Sequence, residues 1–456
     1  MNTEEKDRDG VVKRHFKIKV SHILILLLIL CIGAFIHFRV STNDQIRKRI
    51  EAIHAEGYPV TCEELDQWYA IPMNAENAAF LVLDAIYDYI EPNDVKIMPV
   101  VGPVELPSRT ELMPEDMKML ISQFLSDNQK SLEFLHKTPQ LEYSRYPINL
   151  SLGMAALVPN LAEIRKCIFL LQLEAVFSAE NDNPADAFSS IVSMLGTAGT
   201  LSFEPLLISQ LVRISCQNKA VSSLEYSVNR IVFTKEQLTE LGEAFRKAEN
   251  SPGMKRAFVG ERCAILSAFD APPSVTSNLI GGGLPPVPLL AVYKALGIMH
   301  KEEVIFLDLE KEYLDAFELP TSRQIEAFNI IQAKVEALPK FNVLLHTLMP
   351  AYSRVISLNL KNTAQLRSAR TALAVQKYRL MNNKLPDSLD NLVPDYVESV
   401  PLDPFDGQKI RYKKLEKGFV IYSIGEDKTD NGGKESSKDS KKKNDLDSDI
   451  TFIIEK

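Results

Sequence analysis

Histidine, cysteine and tryptophan are scarce in this chain: seven, five and one among 456 residues. The cysteines (Cys31, Cys62, Cys167, Cys216 and Cys263) are widely separated and form no C-x-x-C pair, which argues against a zinc knuckle, a thioredoxin-type motif or a dense disulfide framework. His15, His22 and His37 lie at or near the first apolar run, and His54, His136, His300 and His346 are too dispersed to form a local metal site. There is no H-E-x-x-H, no G-x-S-x-G, no Walker A loop and no G-x-G-x-x-G after a strand. A basic excess is missing as well. With 52 Lys and Arg against 60 Asp and Glu, the net charge is −8, which argues against nucleic acid as a partner.

What is present is an ordinary globular composition, 45% hydrophobic and 25% charged, long enough for two to four domains at roughly 100–200 residues each. One long apolar run stands out. Residues 20–40 would form a helix of about 31 Å, enough to cross a bilayer core. Its uninterrupted part, Ile23 to Ile36, is also the size of a signal-peptide core, but Phe35, Ile36 and Phe38 stand where cleavage would need small residues. An uncleaved anchor is therefore expected over a cleaved signal. Six Lys or Arg precede the run and four (Arg39, Arg47, Lys48, Arg49) follow within twenty residues. This bias predicts an N-in orientation with the bulk outside the cytoplasm.

From Ser41 to Asn382 helical periodicity dominates. Asn43 to Ala55 reads as a charged stalk helix. Thr61 and Glu64, like Thr234 and Gln237, have the spacing of capping boxes, and Asn183-Pro184 offers an N-cap followed by proline at the first helical position. Helices are predicted at 115–137, 155–180, 184–199, 203–229, 234–250, 253–269, 288–298, 300–318, 321–338 and 351–382. The stretch from Glu91 to Met113, with four prolines, reads as a loop, and 271–287, rich in Pro and Gly, as an internal boundary. Residues 161–201 read as one helical hairpin. With no 34-residue period, an irregular α-solenoid is expected.

Two polar interruptions of apolar helices are the candidate site. Glu261-Arg262 breaks Ala257 to Phe269, and Glu204 and Arg213 flank Leu206 to Leu211. Charges in such helices need partners. They read either as an interhelical salt bridge or as carboxylate–guanidinium groups lining a cleft for a polar ligand.

The last 90 or so residues change character. Tyr378-Arg379-Leu380-Met381-Asn382, Leu385-Pro386, Asp403-Pro404-Phe405-Asp406-Gly407, Tyr422-Ser423-Ile424-Gly425-Glu426-Asp427 and Asp449-Ile450 follow in order, with short strands predicted around Ile410–Tyr412, Gly418–Ile424 and Ile450–Ile454. This order resembles the globular end of the major pseudopilin of type II secretion systems. The resemblance implies a small α+β module and a calcium ion held by aspartates, at Asp427 and Asp449 with Asp430 and Asp447 nearby, since oxygen ligands suit a hard cation. A lysine-rich loop, 434–444, lengthens this region. The prepilin signal of that family is absent, so the resemblance implies a borrowed module.

The chain is thus expected to be mainly α. Residues 1–19 form a cytoplasmic tail and 20–40 a transmembrane anchor. Residues 41–354 form an extracytoplasmic helical domain and 355–456 a pseudopilin-like α+β module. A bacterial inner-membrane protein with binding or scaffold function, and with protein partners in secretion or surface assembly, fits these features. The alternative is an envelope hydrolase with its site near Glu204, Arg213, Glu261 and Arg262.

Overall fold

The computed structural model describes residues 20–156, 158–281, 283–436 and 448–456. The residues before Val20, Asp447 and the loop lysines at 438 and 441–443 lie outside the described residues. Fifteen α-helices are seen among the described residues: α1 (Val20–Ala55), α2 (Cys62–Trp68), α3 (Ala78–Tyr87), α4 (Glu115–Asp127), α5 (Gln129–Leu135), α6 (Leu161–Glu180), α7 (Pro184–Gly199), α8 (Leu207–Val228), α9 (Lys235–Glu249), α10 (Gly253–Asp270), α11 (Pro273–Ile280), α12 (Val287–Ala295), α13 (Ile298–Phe317), α14 (Thr321–Glu336) and α15 (Val343–Asn382). Strands β1 (Arg411–Lys414), β2 (Phe419–Ser423) and β3 (Ile450–Ile454) close the chain as an antiparallel sheet in that order.

Helix α1 is continuous over 36 residues, so the apolar run and the stalk are one element. Every side chain from Val20 to Phe38 is exposed, and the helix is long and apolar enough to cross a membrane. Its far end packs on the helical body. Ile46 is buried there, and Arg49 makes a two-pronged ion pair to Asp308 of α13 at 2.7 and 2.8 Å.

Both capping boxes form, at Thr61–Glu64 and Thr234–Gln237, and Asn183 caps α7. The helix expected at 115–137 is broken at Asn128. That fully buried amide accepts from Ile90 N–H and donates to the carbonyls of Ile90 and Phe124, a local alternative to the helical ladder. The expected boundary segment 271–287 contains α11. Helices α6, α7 and α8 pack mutually, and α15 packs on α8 and α9 from far along the chain. A solenoid, whose repeats touch only their neighbours, would not make the latter contacts.

Helix α15 runs from Val343 straight through the expected domain boundary at 354/355, with Pro350 inside it. Its first half, Leu344 to Ala364, shares a core with α10, α13 and α14. Its second half, Leu366 to Val375, shares another with α6 to α9 and the sheet residues Phe419, Ile421, Phe452 and Ile454. Strand β2 is buried along its whole length because α15 covers one face and the loop at Gly433, lying against Val420 and Tyr422, covers the other.

Candidate functional site

The four residues singled out in the sequence do not converge. Arg262 pairs with Glu310 of α13, Nη1 to Oε2 at 3.1 Å, and donates from Nη2 to the Pro59 carbonyl at 3.0 Å. Glu261 faces another way and accepts from Leu207 N–H at 3.2 Å. It thereby supplies a carboxylate at the first turn of α8, a helix whose own N-cap, Leu206, provides none. Burial raises its carboxyl above the ordinary range.

Glu204 and Arg213 make no ion pair. Gln210 stands between them, donating to the Leu201 and Glu204 carbonyls at 2.8 and 2.9 Å and accepting from Arg213 Nε at 2.6 Å. The Glu204 side chain is fully buried beside Tyr69, Tyr146 and Ser209, and burial pushes it up to about 7. No guanidinium or ammonium pairs with it among the described residues.

Arg213, only 3% exposed, lines a cleft of about 390 Å³. Helix α8 supplies Arg213 from one side. The end of α9 supplies Glu249, the first turn of α10 supplies Lys255 and Arg256, and α15 supplies Asn359, Asn362 and Arg367. The α10 turn opens at Pro252, Gly253 N–H donates to Ser251 Oγ at 3.3 Å, and the N-terminal end of the helix adds positive potential at the cleft wall. Gly260, one turn past Arg256, lets α10 approach segment 202–206 closely, because a Cβ there would overlap the Pro205 carbonyl.

The charges of the cleft are unequal. Glu249 is held by Arg367 at 2.7 Å and by Arg370 at 3.1 Å. All three nitrogens of Arg367 are engaged, Nη1 and Nη2 donating to the Leu402 carbonyl and Thr321 Oγ1. Lys255 pairs with Glu318. Arg256 lies 3.8 Å over the Trp68 ring and donates to the Phe203 carbonyl at 3.1 Å. Neither Arg213 nor Arg256 meets a carboxylate among the described residues, and burial lowers both, Arg213 to about 10. The Nη atoms of Arg213 have no hydrogen-bond partner there; its one bond uses Nε. A cleft with two uncompensated guanidinium groups, amides at its wall and a helix N-terminus is chemically an anion receptor.

Glu249, Arg256, Asn359, Asn362 and Arg367 were not read as site residues from the sequence. The available signal was weak: Asn359, Asn362, Thr363 and Arg367 recur at helical spacing on one face of α15, but that helix carries other polar and charged residues as well.

At the C-terminal loop, the aspartates expected to bind calcium have other partners. Asp427 accepts from Thr429 N–H and Asp430 from Gly432 N–H, while Arg411 Nε lies 3.4 Å from Asp430. Asp449 accepts from Asn431 and Gly433 N–H at 3.3 and 2.7 Å, clasping the loop onto the sheet. Among the described residues no group of three or more His, Cys, Asp or Glu is placed to hold a metal ion. The Arg411 guanidinium stands beside Asp430, and the carboxylates of Asp427, Asp430 and Asp449 hold the backbone of the loop.

No family model, curated protein or solved structure matches this chain.

Proposed function

We propose that the protein is a membrane-anchored binding protein that takes a small organic anion, bearing carboxylate or phosphate groups, in the cleft at Arg213. Helix α1 serves as the anchor, with the N-terminus in the cytoplasm and the helical body outside it. The observation that carries the reading is the buried Arg213 guanidinium with no carboxylate. A lone buried charge costs several kcal/mol, and an anionic ligand offsets that cost. The cleft volume suits a ligand of metabolite size.

The detergent-solubilised full chain tests this by thermal melting with citrate or inorganic phosphate at constant ionic strength. Either anion is expected to raise the melting temperature. Arg213→Met is expected to melt above the parent without ligand, because the unpaired charge is gone, and to lose the anion response. Arg256→Gln should weaken the response without that gain. Parent and Arg213→Met responding equally to both anions would overturn the proposal.

A further inference from the structure

We infer that α12 and its flanking loops form a second membrane contact, an uncharged apolar face that dips into the surface of the bilayer holding α1. The inference rests on the anchoring role proposed for α1.

Helix α12 is apolar on both sides. Leu290 is fully buried and Tyr293 partly so, which accounts for its inner side. Leu289, Val292 and Leu296 are 44–49% exposed on the outer side, and Val287 is 39% exposed at the first turn. A soluble surface helix carries polar residues there, and one that is apolar all round belongs in a core or in lipid. The surroundings continue the pattern. Between Ala271 and Ile298 the only charged residue is Lys294. Its ammonium is turned inward, donating to the carbonyls of Phe269, Asp270 and Ala271 at 2.7–3.0 Å, where it caps α10. Val275, 43% exposed, extends the apolar surface onto α11.

The position of the patch selects lipid as its occupant. Gly297, the residue after Leu296, lies against Phe38 and Arg39 of α1; a Cβ there would sit 2.8 Å from Arg39 Nη1. Arg39 also reaches His300 Nδ1 at 3.2 Å. Phe38 and Arg39 end the stretch of about 31 Å that starts at Val20, so they stand at the depth where hydrocarbon gives way to headgroups. An aromatic ring and a snorkelling arginine suit that depth. The exposed face of α12 is therefore continuous with the lipid-facing surface of α1. The patch offers no cationic side chain, so its affinity comes from apolar burial and is insensitive to salt.

The experiment uses the full chain reconstituted in phosphatidylcholine vesicles, with and without nitroxide-labelled acyl chains, and an environment-sensitive fluorophore on one cysteine. Cys31 is the one exposed cysteine; Cys62, Cys167, Cys216 and Cys263 are buried. The native label at Cys31 reports the anchor. In a Cys31→Ser background, Val292→Cys reports the patch. Lys417→Cys reports the β1–β2 turn, on the sheet packed against the other half of α15. The Val292→Cys label is expected to shift to the blue and lose emission to the nitroxide, as the Cys31 label does, at low and high salt alike, with the Lys417→Cys label unaffected. Quenching at Cys31 without quenching at Val292→Cys would overturn the surface contact and leave the anchor standing. A blue shift at Val292→Cys without nitroxide quenching would assign the patch to a protein and equally overturn it. No quenching at either site would overturn anchor and contact together.

Discussion

Arg262 and Glu310 form an ion pair at 3.1 Å that is almost wholly out of water, with side chains 2% and 1% exposed, joining α10 to α13 across 48 residues of sequence. Burial pushes the Glu310 carboxyl up to about 7, with Arg262 acting against it. Truncating either partner strands the other's charge. Arg262→Ala and Glu310→Ala are each expected to lose about 3–5 kcal/mol in denaturant unfolding, while the double variant Arg262→Met/Glu310→Leu stays within about 1–2 kcal/mol of the parent. Single variants costing no more than the double one would show that the pair is not buried as a unit.

Glu204 makes stability depend on pH in the direction opposite to a salt-bridged acid. With its folded value near 7 and its unfolded value near 4.5, the native state keeps a proton that the unfolded chain has released. Stability therefore falls as pH rises from about 4.5 to about 7, and levels off above that. Glu204→Gln should match the parent near pH 4.5 and exceed it at pH 8, by at most about 3 kcal/mol. Glu302, Glu303 and Glu310 are pushed the same way by burial, so part of the slope persists in the variant. Parallel curves for parent and variant across this range would refute the assignment.

In its described surroundings Asp449 clasps the loop at Asn431 and Gly433, and we propose that this, rather than metal binding, is its role. Calcium at millimolar concentration should leave the melting temperature of the full chain unchanged. Asp449→Ala should lower stability by about 2 kcal/mol, the scale of hydrogen bonds to a charged acceptor, and speed proteolysis within 430–436. A calcium-induced rise in melting temperature that Asp449→Ala removes would restore the metal reading.

Orientation is read by a reporter. Alkaline phosphatase fused after Lys456 should be active in cells if the orientation proposed from the Lys and Arg bias holds. Activity of a cytoplasm-only reporter at the same junction would contradict the proposed topology.

Periodicity and caps are local properties, so the sequence by itself determined the apolar N-terminal helix, the α6–α7 hairpin, the capping boxes at Thr61 and Thr234, and the three short strands. Each depends on a residue and neighbours within a turn or two. Local rules failed where long-range contacts outweighed them. Asn128 broke a helix to hold Ile90, and α15 carried Pro350 because packing along both cores sustains it. The partner of Arg262 proved to be Glu310 rather than any neighbour in sequence. The cleft depended most on tertiary structure. Arg213 was legible as an odd charge in an apolar helix, but its lack of a carboxylate is a property of everything that packs around it. Gln210, Glu249, Arg256 and Arg367 come from four helices that meet only in the fold. Charge compensation is decided by distance in space, which the spacing of residues along the chain does not carry.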